Sequence, residues 1–330
     1  MRKTALFCNG NRIEDVYGMG RRQRLAAISD LYPEVVSENT FHEHAARLAG
    51  VEAVFSTWGM WPLSAEQLAR LPALKIIFYA AGSVQQIAPP LHARGIRVAG
   101  GWGANAVPVA EFAFAQILLS NKGYFRNTRT YHATRKRDGA FYGPGNFAVT
   151  VAILGAGQAG RAVIRLLKNS ALGVLVWDPF LPPEQAAALG VEKVASLASA
   201  FARASVVSNH LAGGPATRGL ITGALIESMP AHATFINTGR GATVAESELI
   251  AALRRRPDLV ALLDVTDQEP AAPDSPFYDL PNVWLSTHMA GAAGHEVVRL
   301  ADAMIEAFQA WEKGEPLCCE VTAGMLKQMA

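Results

Sequence analysis

Three residues in the second half of the chain have the types needed for proton transfer on a carboxylate-bearing substrate: Arg240, Glu269 and His288. An arginine fork grips a carboxylate through two parallel hydrogen bonds. An imidazole moves a proton to or from a carbonyl oxygen near neutral pH, and a neighbouring carboxylate favours its charged form. Each lies on the polar tail of an apolar run that reads as a strand. Thr234–Asn237 runs into Asn237-Thr238-Gly239-Arg240-Gly241, and Leu259–Asp264 into Asp264-Val265-Thr266-Asp267-Gln268-Glu269-Pro270. Val283–Thr287 leads to Ser286-Thr287-His288-Met289-Ala290-Gly291, and a fourth run, Ser205–His210, ends in Ser208-Asn209-His210-Leu211. Singly, each residue has a structural reading: a surface ion pair, a loop carboxylate before Pro270, a packed histidine. Their joint arrival at strand ends favours chemistry, because ligands of open α/β sheets bind outside the carboxyl ends of the strands.

What would bind beside them is indicated by Phe147 to Asp178. Val149–Leu154, apolar but for Thr150, reads as a parallel strand buried on both faces. Gly155, Gly157 and Gly160 follow in G-x-G-x-x-G spacing, for a tight turn, close approach of a pyrophosphate and tight helix–strand packing. A helix predicted from about Gln158 aims its unpaired N–H groups at the phosphates. Val174–Trp177 reads as the next strand, and Asp178 stands eighteen residues after Gly160, near the spacing of a ribose-binding acid. The glycines alone are a weak signal, since they also mark ordinary turns. Strand, turn, helix, strand and acid together point to a dinucleotide, and Asp178 to NAD over NADP, whose 2′-phosphate it would repel. A nicotinamide beside an arginine, a carboxylate and an imidazole is the equipment for reducing a 2-oxo acid.

The elements that must position these groups alternate strand and helix throughout. Strands are expected at Thr4–Cys8, Ala53–Ser56, Leu74–Tyr79 and Ile96–Ala99, with helical segments such as Ser64–Arg70 between them. The first hundred residues therefore read as a small parallel α/β domain. A long apolar helix is expected over Ala106–Leu119 and a last one over Glu296–Trp311, closed by Gly314. At 330 residues, half of them apolar, 18% charged and with net charge +2, the chain reads as two globular domains with neither nucleic acid nor a membrane surface as main partner. No stretch approaches the ~18 apolar residues of a membrane helix. The three cysteines, Cys8, Cys318 and Cys319, form no framework and no metal-ligand pattern, which suggests a reducing cytoplasm and no metal. His42 and His44 fall on different helix faces and are not read as ligands. The basic run Gly20–Arg24 reads as a solvated helix start, with a positive rim for an anionic substrate as the sharper alternative. Lys122, Arg126, Arg129, Arg135, Lys136 and Arg137 read as a solvated arm or subunit contact.

The sequence resembles the D-isomer-specific 2-hydroxyacid dehydrogenases, including phosphoglycerate dehydrogenase-like and glyoxylate/hydroxypyruvate reductase-like members. The resemblance is carried by GANAVPVAE (103–111), VAILGAGQAGRAV (151–163), SNHLAGGPATRGLI (208–221), MPAHATFINTGRGATVAESELIAAL (229–253), ALLDVTDQEP (261–270) and LPNVWLSTHMAGA (280–292). It implies a Rossmann-type NAD domain, residues 104–293, inserted into a smaller flavodoxin-like α/β substrate domain of residues 1–103 and 294–330. It implies a catalytic set of Arg240, Glu269 and His288, with His288 the acid/base and Glu269 its partner. Cofactor contacts are implied for Gly155, Gly157, Gln158, Ala159, Gly160, Asp178, His210, Leu211, Thr238, Gly239, Arg240, Asp264, His288 and Gly291. The substrate carboxylate is expected on Arg240 and the backbone of Ala81-Gly82-Ser83, and the helix near Ala106–Leu119 is expected to build a homodimer.

The chain departs from the family's usual pattern in places. The segment YAAGSVQQI lacks the aspartate common in the substrate loop, Ala212-Gly213-Gly214 replaces a proline-led turn, and Gly239 stands where alanine usually precedes the arginine. None of these removes a reacting group, but they leave the substrate open. Trp58 and Trp102 are candidates for lining a substrate pocket, with core packing as the alternative. Glu269 weighs against the formate dehydrogenase relatives, which carry glutamine at that place. The alternatives are an NAD-sensing, non-catalytic corepressor-like protein, which nothing in the sequence favours, and a dehydrogenase of a non-carboxylate such as phosphite.

Overall fold

Short apolar runs bounded by turn residues become strands buried along most of their length, and those strands assemble two parallel sheets in the computed structural model. The structure describes residues 1–139 and 141–327. The chain divides into two units, one of Met1–Asn105 together with the residues from Ala292 on, the other Ala106–Gly291. This is an α/β fold with a Rossmann-type unit and a second, smaller doubly wound unit.

In the first unit the described strands are β1 (Lys3–Phe7), β2 (Asp30–Val36), β3 (Ala53–Ser56), β4 (Ile76–Tyr79) and β5 (Arg97–Gly100). They lie in the order β2-β1-β3-β4-β5, every pairing parallel. This is the flavodoxin-like order. One face packs Phe7 on Trp61, centroids 5.5 Å apart. The other packs Phe55 and Phe78 against Phe308, from the returning helix Val298–Glu312. The sequence reading missed β2. Its Pro33 cannot donate to a ladder, and most of the strand is exposed or half-buried, so it lacks an apolar run; both are tolerated because β2 is an edge strand. Trp61 is core, while Trp58 and Trp102 are half-buried against the apolar clusters. Of the arginines in Gly20–Arg24, Arg21 and Arg24 share Asp302 and Arg22 pairs with Glu14, so three cations meet two carboxylates.

The second unit holds β6 (Phe147–Leu154), β7 (Ala171–Trp177), β8 (Glu192–Lys193), β9 (Val206–Asn209), β10 (Thr234–Asn237), β11 (Val260–Leu263) and β12 (Val283–Leu285) among its described residues. The order is β12-β11-β10-β9-β6-β7-β8, again all parallel. The chain starts in the middle at β6, winds outward through β7 and β8, then crosses to β9 on the other flank. The order reverses between β6 and β9, the switch point where a doubly wound sheet binds its ligand. The expected β9, β11 and β12 end one or two residues early, although the N–H of the next residue, His210, Asp264 or Ser286, still donates to the neighbouring strand. β8 was also missed: two exposed edge residues carry no apolar period.

The helix Trp102–Asn121 is longer than expected, 20 residues, and is apolar and long enough by composition to cross a bilayer. The sequence reading that no stretch approaches that length is corrected here: the alanines of the run raise its hydropathy, although Asn105, Glu111 and Gln116 interrupt it. Its Ala110, Ala113 and Ile117 are fully buried in the core of the second unit, which is what a core helix does with such residues.

Candidate functional site

Parallel pairing places the candidate residues side by side. Trp177, Leu154, Asn209, Asn237, Leu263 and Leu285 are successive register partners across β7, β6, β9, β10, β11 and β12. Neighbouring strands lie about 4.8 Å apart. One residue past this line are Asp178, Gly155, His210 and Asp264; three past it are Arg240 and His288.

The turn after β6 is built by steric necessity. Gly155 has φ 87°, and a Cβ there would stand 3.0 Å from the His210 carbonyl oxygen. A Cβ on Gly160 would lie 1.9 Å from the Gly155 carbonyl oxygen, so no side chain fits. Gly157 is different: a Cβ there would meet nothing within 4 Å. The helix Gln158–Leu167 starts directly after it, with no side chain capping its N-terminus. Free N–H groups beside open space over a glycine are what a pyrophosphate requires. Arg161 braces the turn, its Nε–H donating to the Ala156 carbonyl at 2.7 Å. At the end of β7, Asp178 accepts the Ala156 N–H at 2.7 Å and the Phe180 N–H at 2.7 Å. Its carboxylate thus holds the phosphate turn to the second strand and retains acceptor capacity for a ribose. These residues fit a dinucleotide.

His210 is held on both ring nitrogens, by the Ser208 hydroxyl at 2.9 Å and the Thr238 hydroxyl at 3.1 Å. Dense surrounding protein disfavours its charged form and pushes its pKa down to about 4, leaving it neutral at physiological pH. Leu211 is buried against Gly155, and a Cβ on Gly239 would lie 2.9 Å from the Leu211 carbonyl oxygen. The loops after β6, β9 and β10 are thus in contact.

Arg240 is half-buried, its Nη1 donating to the Gly239 carbonyl at 2.8 Å. Desolvation lowers its pKa while the charge of Glu269 opposes that shift, so an acidic group faces the guanidinium. The following Gly241 is obligatory: a Cβ there would overlap the Thr266 carbonyl carbon at 1.9 Å. That close approach pins the β10 loop to the β11 loop from which Glu269 comes.

Glu269 and His288 are joined directly, His288 Nδ1–H donating to Glu269 Oε2 at 2.6 Å. Both side chains remain open to solvent, 50% exposed for His288 and 36% for Glu269. With Nδ1 committed to the carboxylate, Nε2 is the nitrogen left to face a reactant. His288 has φ 55°, a left-handed conformation uncommon for histidine. Asp264, 3% exposed, organises this loop. Its Oδ1 accepts from the Ser286 hydroxyl at 2.6 Å and the Met289 N–H at 2.9 Å, and its Oδ2 accepts from the Ala290 N–H at 2.9 Å. The His288 N–H donates to the Asp264 carbonyl. The residue expected at a carboxamide is thus first a clamp on the histidine loop.

Ala81, Gly82 and Ser83 belong to the other unit, after β4: Ala81 is buried and Ser83 exposed. The buried Asn209, which the sequence reading placed in the fourth strand end without a role, and the buried Thr243, which it did not single out, bond the Arg240 loop. Among the described residues no cluster of His, Cys, Asp and Glu has metal-site geometry.

The model of the NAD-binding domain of D-isomer-specific 2-hydroxyacid dehydrogenases matches residues 114–290. An (S)-sulfolactate dehydrogenase of Chromohalobacter salexigens is 31% identical, over 82% of this chain and 89% of that protein. A glyoxylate reductase of Korarchaeum cryptofilum is 30% identical, over 77% of this chain and 78% of its own. A D-3-phosphoglycerate dehydrogenase of Mycobacterium leprae is 29% identical over 81% of this chain, which spans only 51% of that longer protein. Among solved structures, a phosphoglycerate oxidoreductase of Rhizobium etli superposes with a TM-score of 0.80 at 24% identity, over 98% of this chain and 99% of that one. The apo D-mandelate dehydrogenase of Rhodotorula graminis has a TM-score of 0.79 at 20% identity, over 97% of each.

Proposed function

Since the chain belongs to the D-isomer-specific 2-hydroxyacid dehydrogenases, we propose that it interconverts a small 2-oxo acid and the corresponding D-2-hydroxy acid, with Arg240, Glu269 and His288 as its reacting set. The observation that carries this assignment is the 2.6 Å bond between His288 and Glu269, made at the carboxyl end of the sheet one strand from Arg240. NAD is the proposed cofactor, held by the N–H groups of Gln158 and Ala159 over Gly157 and by Asp178 at the adenosine ribose; when bound, its nicotinamide carries the hydride.

In the reducing direction Arg240 takes the substrate carboxylate in its fork, an interaction strengthened by the partial desolvation of its guanidinium. His288 Nε2–H donates to the keto oxygen and releases its proton as negative charge develops there. Glu269 keeps Nδ1 protonated and the ring oriented, so that Nε2 is the atom that cycles. In oxidation the same nitrogen accepts the hydroxyl proton.

The substrate test is an NADH-oxidation screen over glyoxylate, hydroxypyruvate, pyruvate, phenylpyruvate and branched 2-oxo acids, with sulfolactate in the oxidising direction. Turnover of at least one member with loss of activity in a His288 variant supports the reading. NADH binding without turnover of any member overturns it in favour of a sensing role. A homodimer is also proposed, supported by exposed Val107, Leu119, Tyr124 and Tyr131 on the helices Trp102–Asn121 and Tyr124–Thr134. A cytoplasmic setting is proposed from the three free thiols.

A further inference from the structure

Beneath Arg240 lies a small polar network of fully buried side chains. Asn209, Asn237 and Thr243 are 0%, 1% and 0% exposed. The Asn209 amide donates to Asn237 Oδ1 at 2.9 Å and to the Thr243 hydroxyl oxygen at 2.9 Å. Its own Oδ1 accepts the Leu211 N–H at 3.2 Å. Asn237 Oδ1 also accepts the Gly239 N–H at 3.1 Å. The two residues that Asn209 bonds then converge on one atom. Thr243 Oγ1–H donates to the Arg240 carbonyl at 2.6 Å, and Asn237 Nδ2 donates to the same oxygen at 3.4 Å.

We propose that Asn209 is a positioning residue for Arg240, acting through Asn237 and Thr243 to set the main chain from which the guanidinium projects. An amide at the end of an apolar strand is costly unless its polar groups are all satisfied. Here its partners are the residues bracketing Arg240. Two departures from the family's pattern fit the same device. A Cβ on Gly239 would lie 3.3 Å from Asn209 Nδ2 and 2.9 Å from the Leu211 carbonyl oxygen, so the glycine makes room for the amide. A Cβ on Gly213 would lie 3.1 Å from Arg240 Cγ, so the arginine's stem lies against bare backbone. The orientation of the carboxylate-binding fork is therefore set by a buried amide and two glycines as well as by Arg240 itself.

The inference rests on Arg240 binding the substrate carboxylate, and the experiment separates the two. For the best oxo acid of the screen, KM and kcat are measured for Asn209→Leu, for Asn209→Leu/Thr243→Val and for Arg240→Gln, beside NADH affinity and thermal stability. Asn209→Leu is expected to raise KM about 10-fold, the loss of roughly one hydrogen bond's orientation, with NADH affinity within about twofold. The double variant also removes the Thr243 hydroxyl, which in the single variant still donates to the Arg240 carbonyl, and is expected to be no more stable than the single variant. Its KM is expected to stay high, because Arg240 has lost its short bond. Recovery of KM together with stability would show a merely structural role and overturn the proposal. So would an unchanged KM in Asn209→Leu while Arg240→Gln raises it. An unchanged KM in Arg240→Gln overturns both readings. If Asn209→Leu does not fold, Thr243→Val alone, which removes the 2.6 Å donor to the Arg240 carbonyl, decides: a raised KM with NADH affinity within about twofold supports the proposal and an unchanged KM overturns it.

Discussion

Two glycines of one turn, three residues apart, should respond in opposite ways to the same added methyl group. Gly157 has φ −71° and ψ −165°, backbone any residue adopts, and a Cβ there meets nothing within 4 Å. Gly157→Ala should therefore fold normally and gain about 0.4–1 kcal/mol from the reduced freedom of the unfolded chain. The methyl would project where a pyrophosphate approaches the Gln158 and Ala159 N–H groups. Displacing it from one charge-assisted hydrogen bond costs about 1.5–3 kcal/mol, a rise of about 10- to 150-fold in the Kd for NADH. Gly160→Ala instead forces a carbon to within 1.9 Å of the Gly155 carbonyl oxygen. The strand–turn–helix unit must shift, at a cost of about 3 kcal/mol or more in stability. Calorimetric titration with NADH and thermal melts on both variants give the two readouts. A Gly157→Ala protein that melts like the parent and binds NADH within twofold of it would refute the placement of the pyrophosphate on this turn.

Replacing His288 with Asn, a residue that tolerates its left-handed φ of 55°, should lower kcat by about 10²–10⁴-fold with NADH affinity little changed; unchanged turnover would remove His288 as proton donor. The parent enzyme should show a higher kcat/KM with NADH than with NADPH, because Asp178 stands at the ribose position; equal or better use of NADPH sinks that preference. Between pH about 6.5 and pH about 4 the unfolded chain takes up a proton on His210 that the folded chain refuses, so stability falls as the pH drops. The loss approaches about 3 kcal/mol, and urea titrations at pH 7 and pH 4.5 should show a smaller difference in His210→Gln than in the parent. An identical pH slope in the variant would show that His210 is not the group responsible.

Much of the second unit was legible because a parallel strand buried on both faces reads as an apolar run, as the four buried residues of Val260–Leu263 show. Edge elements were not: β2 carries a proline and exposed residues, and β8 is two charged residues long. Both owe their strand geometry to a neighbour's unpaired backbone, a long-range cause without local period. The ends of β9, β11 and β12 were not legible to the residue either, because residue type does not say where pairing gives way to loop contacts such as those of the Ser286 hydroxyl and the Met289 and Ala290 N–H groups with the Asp264 carboxylate.

By itself the sequence determined the chemistry available to this protein: glycines at positions that bear no side chain, an acid after the second strand, and an arginine, a glutamate and a histidine on polar tails. Those are properties of residue type and spacing. Only the tertiary structure decided what each group touches. It joined Glu269 to His288 across nineteen residues, committed Asp264 to clamping the histidine loop, and ran Asn209 through Asn237 and Thr243 to the Arg240 carbonyl. Such contacts depend on strand order and on approaches a few tenths of an ångström wide, which a one-dimensional pattern does not encode and a packed sheet edge does.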